Sequence, residues 1–383
     1  MSKEAKKKTL HYIVNIRVPT EMAHGVQIFN MCAALNKIFE VSLIVPKRKN
    51  TIVGEAFEYY GLIDKFRVVF IPTFFLVPIS SRFRYYTQRI LFSFTSLIHS
   101  LNTRPELIYT RDELVAFTHS FFFEQVYLEI HTRKRSFLYK LILKRVKGII
   151  VISQGLKEHV GTLHQKKFNV LVLHDGVPYQ KIANLSKQEE RLKLGLNIDT
   201  KIVGYIGKYK TMGQEKGVDT LIEAFSKLPS DGTLLLIVGA DSQDLPDLHK
   251  ALSKSNISNY KLIEHVGHDQ ALSYIASSDI LVMNYPNQQH YRNDMSPLKL
   301  FEYLASGNLI IASDLPSIRE IVNENQVLFV EAGNVTELAK TLRYAVDNLT
   351  KLEYLGQESK QLAVKYDWGQ RVKRFIDFYT LHV

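Results

Sequence analysis

Residues 294–314 read DMSPLKLFEYLASGNLIIASD, a helix pattern followed at once by a strand pattern. Ser296 is a residue type that caps helix starts, and Pro297 suits the first helical position, where an N–H would go unpaired. Leu298, Phe301, Leu304 and Ala305 recur at helical spacing, and Gly307 is placed to stop the helix. The run LIIAS that follows is continuously apolar, as in a strand covered on both faces. The same alternation extends in both directions. The first half of the chain holds LHYIVNIRV, VSLIVP, FRVVFIP, ELIYTR, VYLEIH, GIIVIS and NVLVLHDGV, with helical patterns between them. After a polar connector, YQKIANLSKQEERLKLGLNIDT, come KIVGYIG, TLLLIVG, YKLIEHVG, DILVMNY, LIIASD and QVLFVEAG. Short apolar strands alternating with helices predict α/β architecture with two doubly wound, parallel, Rossmann-like sheets.

The start of the predicted helix offers unpaired backbone N–H groups at Leu298 and Lys299 and the positive end of a helix dipole, a site for an anion such as phosphate. Asp294 lies just outside this end, and Glu302 about a turn and a half inside it. Two carboxylates there repel a phosphate, but they suit hydroxyl groups on either side of one. A nucleotide sugar has that layout. The competing reading is a capped surface helix with a Lys299–Glu302 pair three residues apart.

The chain has 383 residues, enough for two domains, and 46% of them are hydrophobic. Its single cysteine, Cys32, excludes an internal disulfide framework and sits in an apolar helical pattern, as a buried structural thiol. The longest apolar runs are broken by proline and too short to span a bilayer, and the start passes from a lysine cluster straight into a strand-like run. The expected location is cytoplasmic, with a peripheral place at the inner face of the membrane. The net charge of +11 is uneven: residues 1–180 carry 26 Lys and Arg against 13 Asp and Glu, and residues 181–383 carry 23 against 25. The first half therefore holds +13 and the second −2, which points to an anionic partner for the first. The excess concentrates in RFRYYTQRILFSF (82–94) and HTRKRSFLYKLILKRVKG (131–148), basic stretches with aromatics of the kind that lie on anionic membranes. A solvated basic face on the domain core is the plainer alternative. No nucleic-acid partner is expected, because no helix-turn-helix, zinc-finger or RNP-type signature is present.

Taken in order, several segments resemble the family 4 retaining glycosyltransferases of the GT-B fold, which include bacterial lipid and polysaccharide glycosyltransferases. They are AHGVQIFNMCAAL, YLEIHTR, GIIVISQGLKEHV, LVLHDGV, VGYIGKYKTMGQEKGVDTLIEAF, LLLIVGA, IEHVGHDQALSYIASSDILV and DMSPLKLFEYLASGNLIIASDLPSIREIV. The resemblance implies an acceptor domain at 1–180, a donor domain at 181–365 facing it across a cleft, and a C-terminal helix at 366–383 packing back towards the first.

The resemblance also implies roles. Glu302 would hold the donor ribose; Asp294, with Ser296, Pro297 and Leu298, the transferred sugar and phosphate end. Aspartate at 294 departs from the family's glutamate and shortens the reach by one methylene. Lys208 and Lys216 would neutralise the diphosphate. Lysine at 208 replaces the usual arginine, YKTMGQE lengthens the spacing, and Lys210 competes for the first position. His131, at the end of VYLEIH, would contact the donor sugar, against the ordinary reading of a structural strand-end histidine. His24 and Gly25 would form an acceptor-side loop, alternatively a plain turn, and Gly239 and Gly267 would lie in strand-end loops near the nucleoside. The implied reaction moves a hexose from a UDP- or GDP-sugar to a hydroxyl of a glycan or lipid-linked acceptor, with no tightly bound cofactor. No metal site is expected, since no DxD motif stands at a strand end. The rivals are a GT-B nucleotide-sugar-binding protein without activity and a two-domain dehydrogenase. The latter is disfavoured because NIRVPTEMAHG stands where G-x-G-x-x-G would follow the first strand.

Overall fold

The β-branched and apolar runs form two all-parallel sheets in a computed structural model that describes residues 7–73, 81–163, 169–211, 213–229 and 231–381. The chain divides into two compact units, Met1–His174 with Arg371–Val383, and Asp175–Gln370.

The first unit holds strands β1 (Thr9–Ile13), β2 (Glu40–Pro46), β3 (Arg67–Ile71), β4 (Leu107–Thr110), β5 (Val126–Ile130), β6 (Gly148–Val151) and β7 (Val170–Val172), in the order β3-β2-β1-β4-β5-β6-β7. The order reverses at β1, which pairs with both β2 and β4, so their carboxyl ends open onto a switch point where ligands of such sheets bind. Strands β4, β5 and β6 are buried throughout, as their unbroken hydrophobicity requires. The helix Trp368–Thr380 brings Phe375 and Tyr379 from the end of the chain against Tyr127 of β5, with Phe375 also against Tyr109 of β4.

The second unit holds β8 (Lys201–Ile206), the two-residue pair β9 (Lys210–Thr211) and β10 (Gln214–Glu215), β11 (Thr233–Ala240), β12 (Tyr260–Glu264), β13 (Ile280–Met283), β14 (Leu309–Ser313) and β15 (Leu328–Val330). Its sheet runs β12-β11-β8-β13-β14-β15, and β9 and β10 form a separate antiparallel ribbon. The quoted helix spans Leu298–Ser306 and ends at Gly307 in the left-handed conformation (φ 71°), which glycine adopts without strain.

The polar connector is not wholly irregular. It contains helices Tyr179–Ala183 and Lys187–Lys193, the second capped by Ser186, whose hydroxyl accepts the Glu189 N–H. Ile182 and Leu196 enter the core beneath the sheet, which is why these segments order despite their charge. Cys32 is buried and free, and burial pushes its thiol well up.

Candidate active site

In the second unit a cationic cluster forms at the carboxyl end of β8. Gly207, at the strand end (φ 143°), leads into Lys208, and the β9/β10 ribbon then folds out. The Lys216 N–H donates to the Tyr209 carbonyl at 3.2 Å, so the ribbon closes and returns Lys216 beside Lys208. The lengthened spacing is thus absorbed as a hairpin. Burial, then the neighbouring Lys208 charge, lower Lys216 to about 8, against Asp241. Lys208 pairs with Asp241 at 3.0 Å, whereas Lys210 turns to Asp247 and Asp244. Gly217 caps the next helix, Val218–Phe225, at φ 88°, with a Cβ there falling 1.5 Å from the Asn284 carbonyl oxygen. The Glu215 carboxylate accepts the Val218 and Asp219 N–H groups and so occupies that helix start.

The helix Leu298–Ser306 has no such occupant. Ser296 was expected to cap it, but the cap position is Pro297, which offers no side-chain hydrogen bond, and among the described residues none is seen from a side chain to the Leu298 or Lys299 amide. The Ser296 hydroxyl instead accepts the Asp175 N–H at 2.8 Å, a partner 121 residues away that outcompetes the local bond. The uncapped first turn, with Leu298 and Lys299, keeps the open positive end expected of an anion site. Asp294 ends the π-helical turn His290–Asp294 and is buried. Burial lowers His290, with Asp294 opposing and Lys216 reinforcing the shift, so these residues share one neighbourhood. Glu302 Oε1 meets His268 Nε2 at 2.7 Å, and Gly267 is the cap residue of the helix His268–Ser277 that presents this histidine. Gly239 (φ 101°) packs its backbone against Gly207, a contact that brings two strand ends together. Lys299 does not pair with Glu302: its amine is buried over the ring of Tyr205 at 3.5 Å.

In the first unit, His131 follows β5 and Glu129 lies two residues before it on the same face, as strand periodicity dictates. His131 Nε2 lies 2.6 Å from Glu129 Oε1, which Gln27 also reaches at 2.8 Å; Arg111 donates to Gln27 at 2.5 Å. The other carboxylate oxygen takes Arg371 at 3.1 Å and the Tyr109 hydroxyl. Burial alone would raise Glu129, but Arg371, His131 and Arg111 hold it well below the carboxylate range. Burial and Arg111 lower His131 to about 4, against Glu129. Near neutral pH the imidazole is therefore uncharged. The ionised Glu129 can only accept, which puts the ring proton on Nε2 and leaves Nδ1 as an acceptor. A cavity of about 230 Å³ opens beside it, lined among others by Asn15, Arg89, Arg111 and Lys134. His24 sits in the first turn of the helix Ala23–Asn36; burial and Arg111 lower it to about 4. Gly25 is buried in that turn, and a Cβ there would meet the Tyr60 hydroxyl at 2.3 Å.

The cluster at Lys208 gathers Lys216, Lys299, Gly239, Asp294 and Glu302 in one unit, while His131 and His24 share the Arg111 neighbourhood in the other. Glu129, Gln27, Arg111, Arg371, His268 and Asp241 are the partners that sequence reading missed. The period-two spacing of Glu129 and His131 was the one available signal. Among the described residues, no group of three or more His, Cys, Asp or Glu side chains is placed to hold a metal ion.

Two parallel α/β units with ligand-type strand ends define a class, the GT-B glycosyltransferase fold, and solved structures share it. Sucrose-phosphate synthase from Thermosynechococcus elongatus superposes with TM-score 0.77 at 16% identity, covering 98% of this chain and 99% of that one. HepE of Anabaena, in complex with UDP-glucose, gives 0.71 at 13% identity over 97% and 99%. Residues 186–362 match the family model described as glycosyl transferases group 1. TuaC of Bacillus subtilis, named as a glycosyltransferase of teichuronic acid biosynthesis, is 24% identical over 228 residues. The match takes in 59% of this chain and about half of TuaC, 54% of its length. The family-model match lies within the second unit, and the solved structures share the fold.

Proposed function

We propose that this chain is a retaining glycosyltransferase of family 4 type, moving a hexose from a nucleotide diphosphate sugar to a hydroxyl of a glycan or lipid-linked acceptor. The observation that carries the reading is the convergence of Lys208 and Lys216 with an uncapped helix start that bears Glu302 downstream. Two amines and a helix dipole can stabilise the charge that develops on a leaving diphosphate without help from a metal ion. Glu302 accepts from the donor ribose, Asp294 from the transferred sugar, and the loops at Gly239 and Gly267 border the nucleoside. The first unit contributes His131, whose Nδ1 can accept a sugar hydroxyl, and the His24–Gly25 turn on the acceptor side. The leaving phosphate itself takes the acceptor proton in a front-face reaction, which preserves anomeric configuration. HepE is described in complex with UDP and UDP-glucose, which supports a UDP-sugar as the first donor to try. The reaction belongs at the inner membrane face in polysaccharide assembly, and the first unit's basic surface supplies the contact.

A thermal-shift panel of UDP, GDP, ADP and their sugar conjugates tests this. A ligand at 100 times its Kd stabilises by about 2.7 kcal/mol. One base should shift wild type, and the shift should be lost in Glu302→Ala and reduced in Lys216→Ala. No shift with any nucleotide would refute the donor site. Binding without transfer or hydrolysis would favour the non-catalytic alternative, which the shorter Asp294 and the lysine at 208 motivate.

A further inference from the structure

Lys299 sits on the same helix turn as the proposed phosphate site, yet family resemblance gives it no role. Its amine is buried and has no hydrogen-bond partner. It lies over the Tyr205 ring at 3.5 Å, with the Tyr285 ring at 5.8 Å. It presses against Gly207, where a Cβ would stand 2.7 Å from its Cε and 2.9 Å from its Nζ. A glycine at the end of β8 therefore makes room for a lysine directly beneath the loop that carries Lys208. An unpartnered buried amine is costly, and a methionine would fill the same volume without that cost. Such costs persist where a ligand uses them.

We propose that Lys299 is a proton-linked positive charge beneath the donor diphosphate, taking up a proton from solvent when the anion binds. This rests on the donor reading above and adds to it a positioning residue that acts through the Gly207–Lys208 loop. The groups facing Lys299 agree with that task. Burial, then Lys216, push its amine well down, while Glu302 and Glu215 pull the other way; Tyr205 and Tyr285 offer ring faces. Lys208 and Lys216 crowd positive charge into the site. A diphosphate reverses that local field, so the amine that burial and the Lys216 charge hold neutral becomes the amine that attraction charges. The positive charge then appears only when the leaving group is in place.

The test is calorimetric titration of UDP, GDP and inorganic pyrophosphate at pH 7 in buffers of different ionisation enthalpy, which counts protons exchanged. Wild type should take up more protons per bound diphosphate than Lys299→Met, and the variant should bind about tenfold or more weakly. Free Lys299→Met should melt at or above the wild-type temperature. Lys299→Arg, whose charge does not titrate, should keep more of the affinity than Lys299→Met while losing the extra proton uptake, and it keeps the test alive if the methionine variant fails to fold. Equal proton uptake in wild type and both variants overturns the proposal; weaker binding with unchanged uptake marks a packing role only. If wild type binds no nucleotide, the donor reading falls and this inference with it.

Discussion

Gly217 shows how one residue can hold the cationic cluster together. Its φ of 88° is accessible to glycine and strained for other residues, and a Cβ would collide with the Asn284 carbonyl 1.5 Å away. No side-chain rearrangement relieves a clash with backbone. Gly217→Ala should therefore destabilise by about 3 kcal/mol or more and displace the adjacent Lys216. Urea unfolding with a parallel nucleotide titration checks this; an alanine variant with wild-type stability and affinity would contradict the geometry. At this scale the sequence was legible where chemistry is local. Asp294, Glu302, Lys208 and Lys216 lie in the second unit and His131 at the end of its strand in the first, and the roles given to them belong to the proposal. The Ser296 cap and the competing Lys299–Glu302 pair fail for one reason. Their partners, Asp175 and the Gly207–Tyr205 floor, come from remote sequence, and neither spacing nor capping rules see them.

Two helices of the first unit leave apolar side chains in solvent. On Ser81–Thr103, Tyr86, Ile90, Phe94 and Ile98 recur every fourth residue, and all are exposed. That period keeps them on one face. On Phe137–Arg145, Phe137 and Leu138 are exposed among Arg135, Lys140, Lys144 and Arg145. Among the described residues no helix is long and apolar enough to cross a membrane. The second helix, with apolar side chains interleaved with cations, suits an interfacial surface, where basic residues near anionic lipid contribute about 1 kcal/mol each; on the first, Arg89 is engaged by Asp112 and Glu113, and the apolar face itself would make the contact. Sedimentation should bring the protein down with vesicles containing phosphatidylglycerol, less with neutral vesicles and less at high salt. Phe94→Glu with Ile98→Glu should abolish pelleting while leaving nucleotide binding intact. Equal pelleting of the double variant would remove this helix from the contact. The basic amphipathic character was legible because helical period and charge are properties of the segment. The connector helices and the β9/β10 ribbon were not: each depends on the apolar side chains or backbone bonds that tertiary structure supplies.

Over the whole molecule, the parallel α/β architecture and the charge asymmetry could be read from the chain, since both follow from strand runs and composition. Histidine burial could not, and it divides the two units. Burial is the main cause that lowers His11 to about 3 and His24, His119, His131 and His174 to about 4, and all five lie in the first unit. Their folded values lie below the unfolded value near 6.5, so between these limits the unfolded chain binds more protons. Stability from these groups is complete above about pH 6.5 and is lost as pH falls towards 4. Each contributes a slope of about 1.4 kcal/mol per pH unit within that window. In the second unit, among the described residues, only His290 is clearly lowered. Acidification from pH 7.5 to 5 should therefore open the first unit before the second. Hydrogen exchange, corrected for the intrinsic pH dependence, should show protection lost first in β1, β4 and β5. Trp368, the sole tryptophan and buried in the second unit, should hold its native fluorescence to lower pH. Protection lost at the same pH in both units would mean that acid acts through groups other than these histidines. Replacing His119 with glutamine, which cannot titrate, should lower the acid sensitivity of the first unit and leave that of the second unchanged.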